Sequence, residues 1–218
     1  MTRKELYKNF INHFSNTMPE AKTELNYGTP FELLVAVMLS AQCTDKRVNM
    51  VTPVLFNHFP TAEQMAEASV EEILADIKSI SYPNSKAAHL SRMAKMLLAE
   101  FGGNVPDTLE QLTLLPGVGR KTANVVLSVV FDKAEMPVDT HVFRVSHRIG
   151  LVPERCATPL SVEKELKKNI PPEHIPIAHH WLILHGRYVC TSRKPHCQEC
   201  GISQWCKKAN INQEHTHK

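Results

Sequence analysis

Leu115-Pro116-Gly117-Val118-Gly119-Arg120-Lys121-Thr122-Ala123 is the stretch on which the reading of this chain turns. An apolar helical pattern (Leu109, Leu112, Leu114) runs into a Pro-Gly-x-Gly turn. A second one (Ala123, Val125, Val126, Leu127, Val129, Val130) leaves it. Two glycines permit left-handed backbone angles and close approach by a ligand. The free N–H groups at the start of the second helix suit a phosphate. A bare Gly-x-Gly between helices is equally a turn with no ligand; the full string is more specific.

Outward from the turn, the periodicity is helical almost throughout, and no segment shows the period-two alternation of a strand. Helix starts recur as a capping residue followed three positions on by Glu or Gln: Thr29 with Glu32, Thr61 with Gln64, Ser69 with Glu72, Asp107 with Glu110. Asn84 or Ser85 is expected to open a helix that runs to Phe101, stopped by Gly102-Gly103. Further helices are expected near 2–17, 31–39, 45–59, 120–131, 140–149, 159–169 and 173–189, with a kink or restart at Pro53. The polar, Pro-closed stretch from Asp132 to Pro137 is a candidate hinge between domains.

The bulk composition excludes several classes. With 43% hydrophobic and 22% charged residues the chain is neither disordered nor fibrous. Its 218 residues are enough to bury roughly 70% of the extended surface, in one large core or two small ones. No apolar run approaches the ~20 residues of a spanning helix, and the N-terminus lacks the apolar stretch of a secretion signal. A cytoplasmic protein is expected.

Charge and cysteine are unevenly spread. Cys190, Cys197, Cys200 and Cys206 lie within 17 residues, leaving Cys43 and Cys156 as candidate packing thiols. In a reducing compartment such a cluster reads as metal binding before disulfides. Only one close Cys-x-x-Cys pair exists, which favours a [4Fe–4S] cage over a zinc ribbon while leaving zinc open. From Gly186 to Lys208 five Lys/Arg face one acid, Glu199, so the segment carries +4 of a net +3. A basic loop held by a metal cage is a plausible phosphate-binding surface.

The full hairpin string resembles the helix-hairpin-helix motif, which grips a nucleic-acid backbone without reading bases. Lys121 stands just inside its second helix beside Arg120, a candidate amine nucleophile for a carbonyl-like carbon. Asp139, in Val138-Asp139-Thr140-His141-Val142-Phe143-Arg144-Val145, stands where another helix begins. Singly, each has a plain alternative: Lys121 a surface or phosphate contact, Asp139 an N-cap.

Together, the hairpin, the Val138–Val145 string and the four-cysteine tail closely resemble the bacterial endonuclease III family. These are the iron–sulfur DNA glycosylase/AP lyases of the helix-hairpin-helix superfamily. The similarity extends from about residue 24 to 206 and includes Leu39-Ser40-Ala41-Gln42-Cys43-Thr44-Asp45 and His180-Trp181-Leu182-Ile183-Leu184-His185-Gly186-Arg187-Tyr188. It implies an all-α, two-lobed fold with a DNA-binding cleft. One lobe is a six-helix bundle over 22–132, with the hairpin at about 108–130. The other joins 1–21 to 133–211, and 212–218 is left as a frayed tail.

The resemblance implies roles as well. Lys121 matches the nucleophile, Asp139 the catalytic carboxylate, and Cys190, Cys197, Cys200 and Cys206 the ligands of a [4Fe–4S] cluster. Gln42 matches the residue that fills the space of an extruded nucleotide. Gly117, Gly119 and Arg120 fall on the DNA-backbone hairpin. The implied activity is excision of oxidised pyrimidines from double-stranded DNA and cleavage of abasic sites, by a monomer that is nucleoid-associated in a bacterium and needs no membrane.

One departure stands out. Where the family usually has Gly, a bulky apolar residue and an aromatic, this chain has Ser81-Tyr82-Pro83, with Tyr82 as the candidate wedge in the base stack. The runner-up, a monofunctional adenine glycosylase of the same superfamily, lacks a Lys at the hairpin and normally has a further C-terminal domain. A non-catalytic, zinc-stabilised DNA-binding module is the third reading. His141 and His185 read as packing or hydrogen-bonding histidines rather than metal ligands.

Overall fold

The computed structural model describes residues 1–210, so the tail reading of 212–218 lies outside the described residues. These residues contain eleven α-helices, two short 3₁₀ turns, a further helical stretch at 207–210 and no strand. The chain separates into two units, Glu24–Asp132 and Met1–Thr23 with the chain from Lys133 onward, and each has its own apolar core. The chain passes between them at Asp132, a non-glycine residue at φ 49°.

The 24–132 unit is built around α2 (Pro30–Leu39). Phe31 and every residue from Leu33 to Leu39 are buried, so this helix is apolar all round and central rather than amphipathic. Thr29 caps its N-terminus through Glu32 N–H, but the Glu32 carboxylate accepts from Gly28 N–H rather than Thr29 N–H. The reciprocal capping box expected there is therefore shifted by one residue. Around α2 lie α3 (Asp45–His58), α4 (Ala62–Glu67), α5 (Val70–Ile77), α6 (Pro83–Phe101), α7 (Leu109–Leu114) and α8 (Arg120–Val130). That makes seven helices where the resemblance implies a six-helix bundle; α4 and α7 are only six residues each.

Pro53 lies inside α3, which does not restart there. Two local expectations are corrected. The cap of α7 is Thr108, whose hydroxyl accepts from Gln111 N–H, not Asp107. And α6 starts at Pro83 rather than after Asn84 or Ser85, because proline's fixed φ and missing N–H suit the first helical position.

In the other unit α1 (Arg3–Thr17) packs with α9 (Thr140–Ile149), α10 (Pro159–Asn169) and α11 (Ile175–Tyr188). Phe10 and Phe14 of α1 meet the Trp181 ring at 5.9 and 6.0 Å. The buried indole N–H donates to Met18 O at 2.8 Å, and the Tyr7 hydroxyl to Leu151 O at 3.0 Å. An apolar face with two satisfied polar tips fixes the N-terminal helix onto a segment over 120 residues away. Helices α9 and α11 cross closely: a Cβ at Gly186 would lie 3.0 Å from His141 Cβ and Val145 Cγ2.

Candidate functional site

The hairpin is shaped by its buried residues. Leu115 and Val118 are buried and anchor the turn, and Val118 N–H donates to Leu115 O at 3.0 Å. Gly117 adopts φ +82°, and a Cβ there would lie 2.9 Å from His89 Cβ and 3.0 Å from Met38 Cε. Both the backbone angle and the space demand glycine. Gly119 differs. Nothing lies within 4 Å of where its Cβ would be, so the outer face of the turn is open. Gly119 is also the N-cap of α8 and supplies no side-chain cap. The first N–H groups of α8 thus face an open, glycine-smoothed surface with exposed Arg120 and Lys121 beside them. A backbone phosphate satisfies such a helix start.

Lys121 is exposed in the first turn of α8 and belongs to the 24–132 unit. Asp139 belongs to the other, half-buried at the N-cap of α9. Its Oδ1 accepts from Val142 N–H at 2.8 Å. Its Oδ2 makes no hydrogen bond among the described residues, so one carboxylate oxygen holds the helix while the other is available.

Gln42 and Tyr82 are brought together by hydrogen bonds between their loops. Both are exposed, and both are non-glycine residues in the left-handed region, at φ 55° and 56°. The Ser81 hydroxyl donates to Gln42 O at 2.8 Å. Beneath them Lys86 is buried, its Nζ donating to Leu39 O and Ala41 O, both at 2.7 Å. Burial pushes the Lys86 ammonium below its ordinary pKa. The two carbonyls at the C-terminal end of α2 are its compensation. Sequence reading did not find Lys86; its only signal is a lysine followed by Ala87 and Ala88 in the first turn of a long helix.

The four cysteines converge. Cys190, Cys197, Cys200 and Cys206 line one small pocket together with Ile149, Ile202 and others. Four thiols around one pocket supply the donor set of an iron–sulfur cluster. Burial pushes the Cys200 and Cys206 thiols up, so iron must displace their protons on binding.

Two arginines of α9 tie this loop down. Arg148 Nη1 donates to Thr191 O at 2.7 Å and approaches Cys190 Sγ at 3.6 Å; its Nη2 donates to Ser192 O at 2.7 Å. Arg144 Nη2 donates to Gly186 O and Cys190 O. One ten-residue helix therefore carries Asp139 at its start and grips the cysteine loop at its end. Sequence reading missed Arg144 and Arg148, although their i, i+4 spacing places them on one helix face. His185, buried and neutral with its pKa lowered to about 4, rests its ring 5.4 Å from Phe14. His141 Nδ1 lies 3.2 Å from Arg144 Nη2. Cys197→Ser, which removes one candidate ligand, is expected to abolish most of the broad absorbance near about 400 nm and most of the iron that co-purifies. Iron content unchanged by that substitution rules out Cys197 as a ligand.

Residues 35–172 match the family model described as the HhH-GPD superfamily base excision DNA repair protein. Residues 190–206 match the iron–sulfur binding domain of endonuclease III. The chain is 49% identical over 197 residues to the endonuclease III of Rickettsia felis, covering 90% of this chain and 92% of that one. It is 46% identical over 189 residues to that of Escherichia coli K12, covering 87% and 89%. Among solved structures, a trapped endonuclease III–DNA covalent intermediate aligns with a TM-score of 0.91 at 41% identity, covering 98% of this chain and all of the other. A non-covalent endonuclease III–DNA complex aligns equally well, at 40% identity. No described helix is long and apolar enough to cross a membrane.

Proposed function

Because the chain belongs to the HhH-GPD superfamily of base excision DNA repair proteins, and within it to the endonuclease III family, we propose that its DNA glycosylase/AP lyase activity is directed at oxidised pyrimidines, with Lys121 as nucleophile. The observation that carries the nucleophile is an exposed amine in the first turn of α8, directly after a glycine turn open to a phosphate backbone. The hairpin holds the backbone through Gly117, Gly119 and Arg120 and sets the strand's register without reading bases. Gln42 and Tyr82 enter the duplex as the damaged nucleotide leaves it. Flipping costs a few kcal/mol, and less where damage has already weakened stacking.

The unprotonated Lys121 Nζ attacks the sugar C1′. The bond from C1′ to the base breaks, its electron pair leaves with the base, and the base takes up a proton. Asp139 stabilises the positive charge developing on the sugar and accepts the proton that the attacking amine releases. Ring opening gives a Schiff base between Lys121 and C1′. Loss of a C2′ proton then drives the C3′–O bond to break, its electrons leaving with the 3′ phosphate. Hydrolysis of the imine frees the amine. Cys190, Cys197, Cys200 and Cys206 would hold the [4Fe–4S] cluster, which would fix the basic chain around them; the steps above call for no electron transfer from it.

The test is borohydride trapping on three duplexes: one with an oxidised pyrimidine, one with adenine opposite an oxidised guanine, one undamaged. The reading expects base release and a covalent adduct on the first alone. Adenine release from the second without an adduct would transfer the chain to the monofunctional class.

A further inference from the structure

The strongest unexplained feature is that two exposed, left-handed, non-glycine residues, Gln42 and Tyr82, are held by each other's loops. Left-handed geometry is unfavourable for side chains with a Cβ. For Tyr82 it is doubly so, because the following Pro83 restricts the residue before it. Such residues persist only when their surroundings over-determine them. The surroundings here are specific. Ile80, buried, fixes the start of one loop, and Lys86 N–H donates to Tyr82 O at 3.1 Å at its end. Thr44 caps α3 at the end of the other, and Cys43 N–H donates to Ser40 O. Among the described residues, the hydrogen bonds between the loops come from side chains: Ser81 Oγ to Gln42 O above, and Lys86 Nζ to Leu39 O and Ala41 O below.

We propose that Ser81 and Lys86 are positioning residues that join the Gln42 and Tyr82 loops into one two-pronged unit, so that the two side chains enter the duplex together rather than independently. Lys86 sets the base of the unit by holding the end of α2 against the first turn of α6. Ser81 sets the tip, one residue from the wedge and bonded to the carbonyl of the plug. If one prong loses its seat in the duplex, the shared hydrogen bonds transmit the change to the other. The proposal rests on the assignment of Gln42 and Tyr82 to DNA contact, and the test separates the two.

The test is a double-mutant cycle read as affinity for a duplex carrying a stable abasic analogue. Tyr82→Ala, Gln42→Ala and the double variant are compared in the native background, with Ser81→Ala, and with Ser81→Thr. In the native background the double variant is expected to depart from the product of the singles by about three- to tenfold. With Ser81→Ala, which removes one hydroxyl and leaves the bonds of Lys86 intact, the departure is expected to fall to within about twofold of none. Ser81→Thr, which keeps the hydroxyl, is expected to restore it. Equal coupling with and without the Ser81 hydroxyl overturns the proposal. If neither single variant weakens binding, the DNA assignment itself falls, and the proposal with it.

Discussion

Lys121→Ala is expected to eliminate the borohydride-trapped adduct and to lower single-turnover base release by about 10⁴- to 10⁶-fold, or about 5–8 kcal/mol of barrier. The size follows from the role. An amine that forms a covalent bond to C1′ cannot be partly replaced, whereas a residue that only orients substrate leaves a measurable remainder. The fold should not register the change. Lys121 is exposed in the first turn of α8, contributes nothing to either apolar core, and alanine is the better helix former. Thermal unfolding and iron content should therefore match the unsubstituted protein. Binding to an abasic-analogue duplex should weaken by no more than about tenfold, the scale of one lost cation near phosphates. Loss of activity with intact fold and near-intact binding isolates the chemical step. A persistent adduct in Lys121→Ala would move the nucleophile to another amine.

How much of this was legible in the sequence depends on the range of the interaction. The hairpin was legible because its requirements are local: Gly117 must take a positive φ and leave room for His89, and an apolar helix pattern flanks it on both sides. The cysteine group was legible because its four members sit within 17 residues of chain, and they line one pocket. Cap identities were partly legible. Thr29, Thr61 and Ser69 cap as expected, while at α7 both Asp107 and Thr108 start a cap-plus-three pattern and it is the Thr108 hydroxyl that accepts from Gln111 N–H. The start of α6 was misplaced because the pattern of polar residues at 84–85 outweighed the proline before them. What could not be read were bonds made across long separations. Lys86 reaches a carbonyl 47 residues away, and Arg148 one 43 residues away. Neither leaves a periodic trace, since a surface lysine and a buried one that satisfies two carbonyls look alike in sequence.

Asp139 offers the sharper separation of structure from chemistry, because one carboxylate oxygen caps α9 and the other makes no hydrogen bond among the described residues. Asp139→Asn keeps an oxygen that can accept from Val142 N–H, and asparagine caps helices about as well as aspartate. The stability change should be within about 0.5 kcal/mol, the residual being the lost interaction of a negative charge with the helix N-terminus. The activity change should be large, about 10²- to 10³-fold, because the amide neither accepts the proton of the attacking amine nor balances charge on the sugar. Asp139→Ala should lose the same activity and, in addition, about 1 kcal/mol of stability with the cap. Its consequence should extend beyond the cap. Helix α9 grips the cysteine loop through Arg144 and Arg148, so fraying its start in the alanine variant should also hasten iron loss on chelation, while the asparagine variant retains iron at the native rate. The pair of substitutions thus sorts the two roles by different readouts. If Asp139→Asn were as active as the native chain, the carboxylate's charge would have no part in the reaction, and Asp139 would be an N-cap alone.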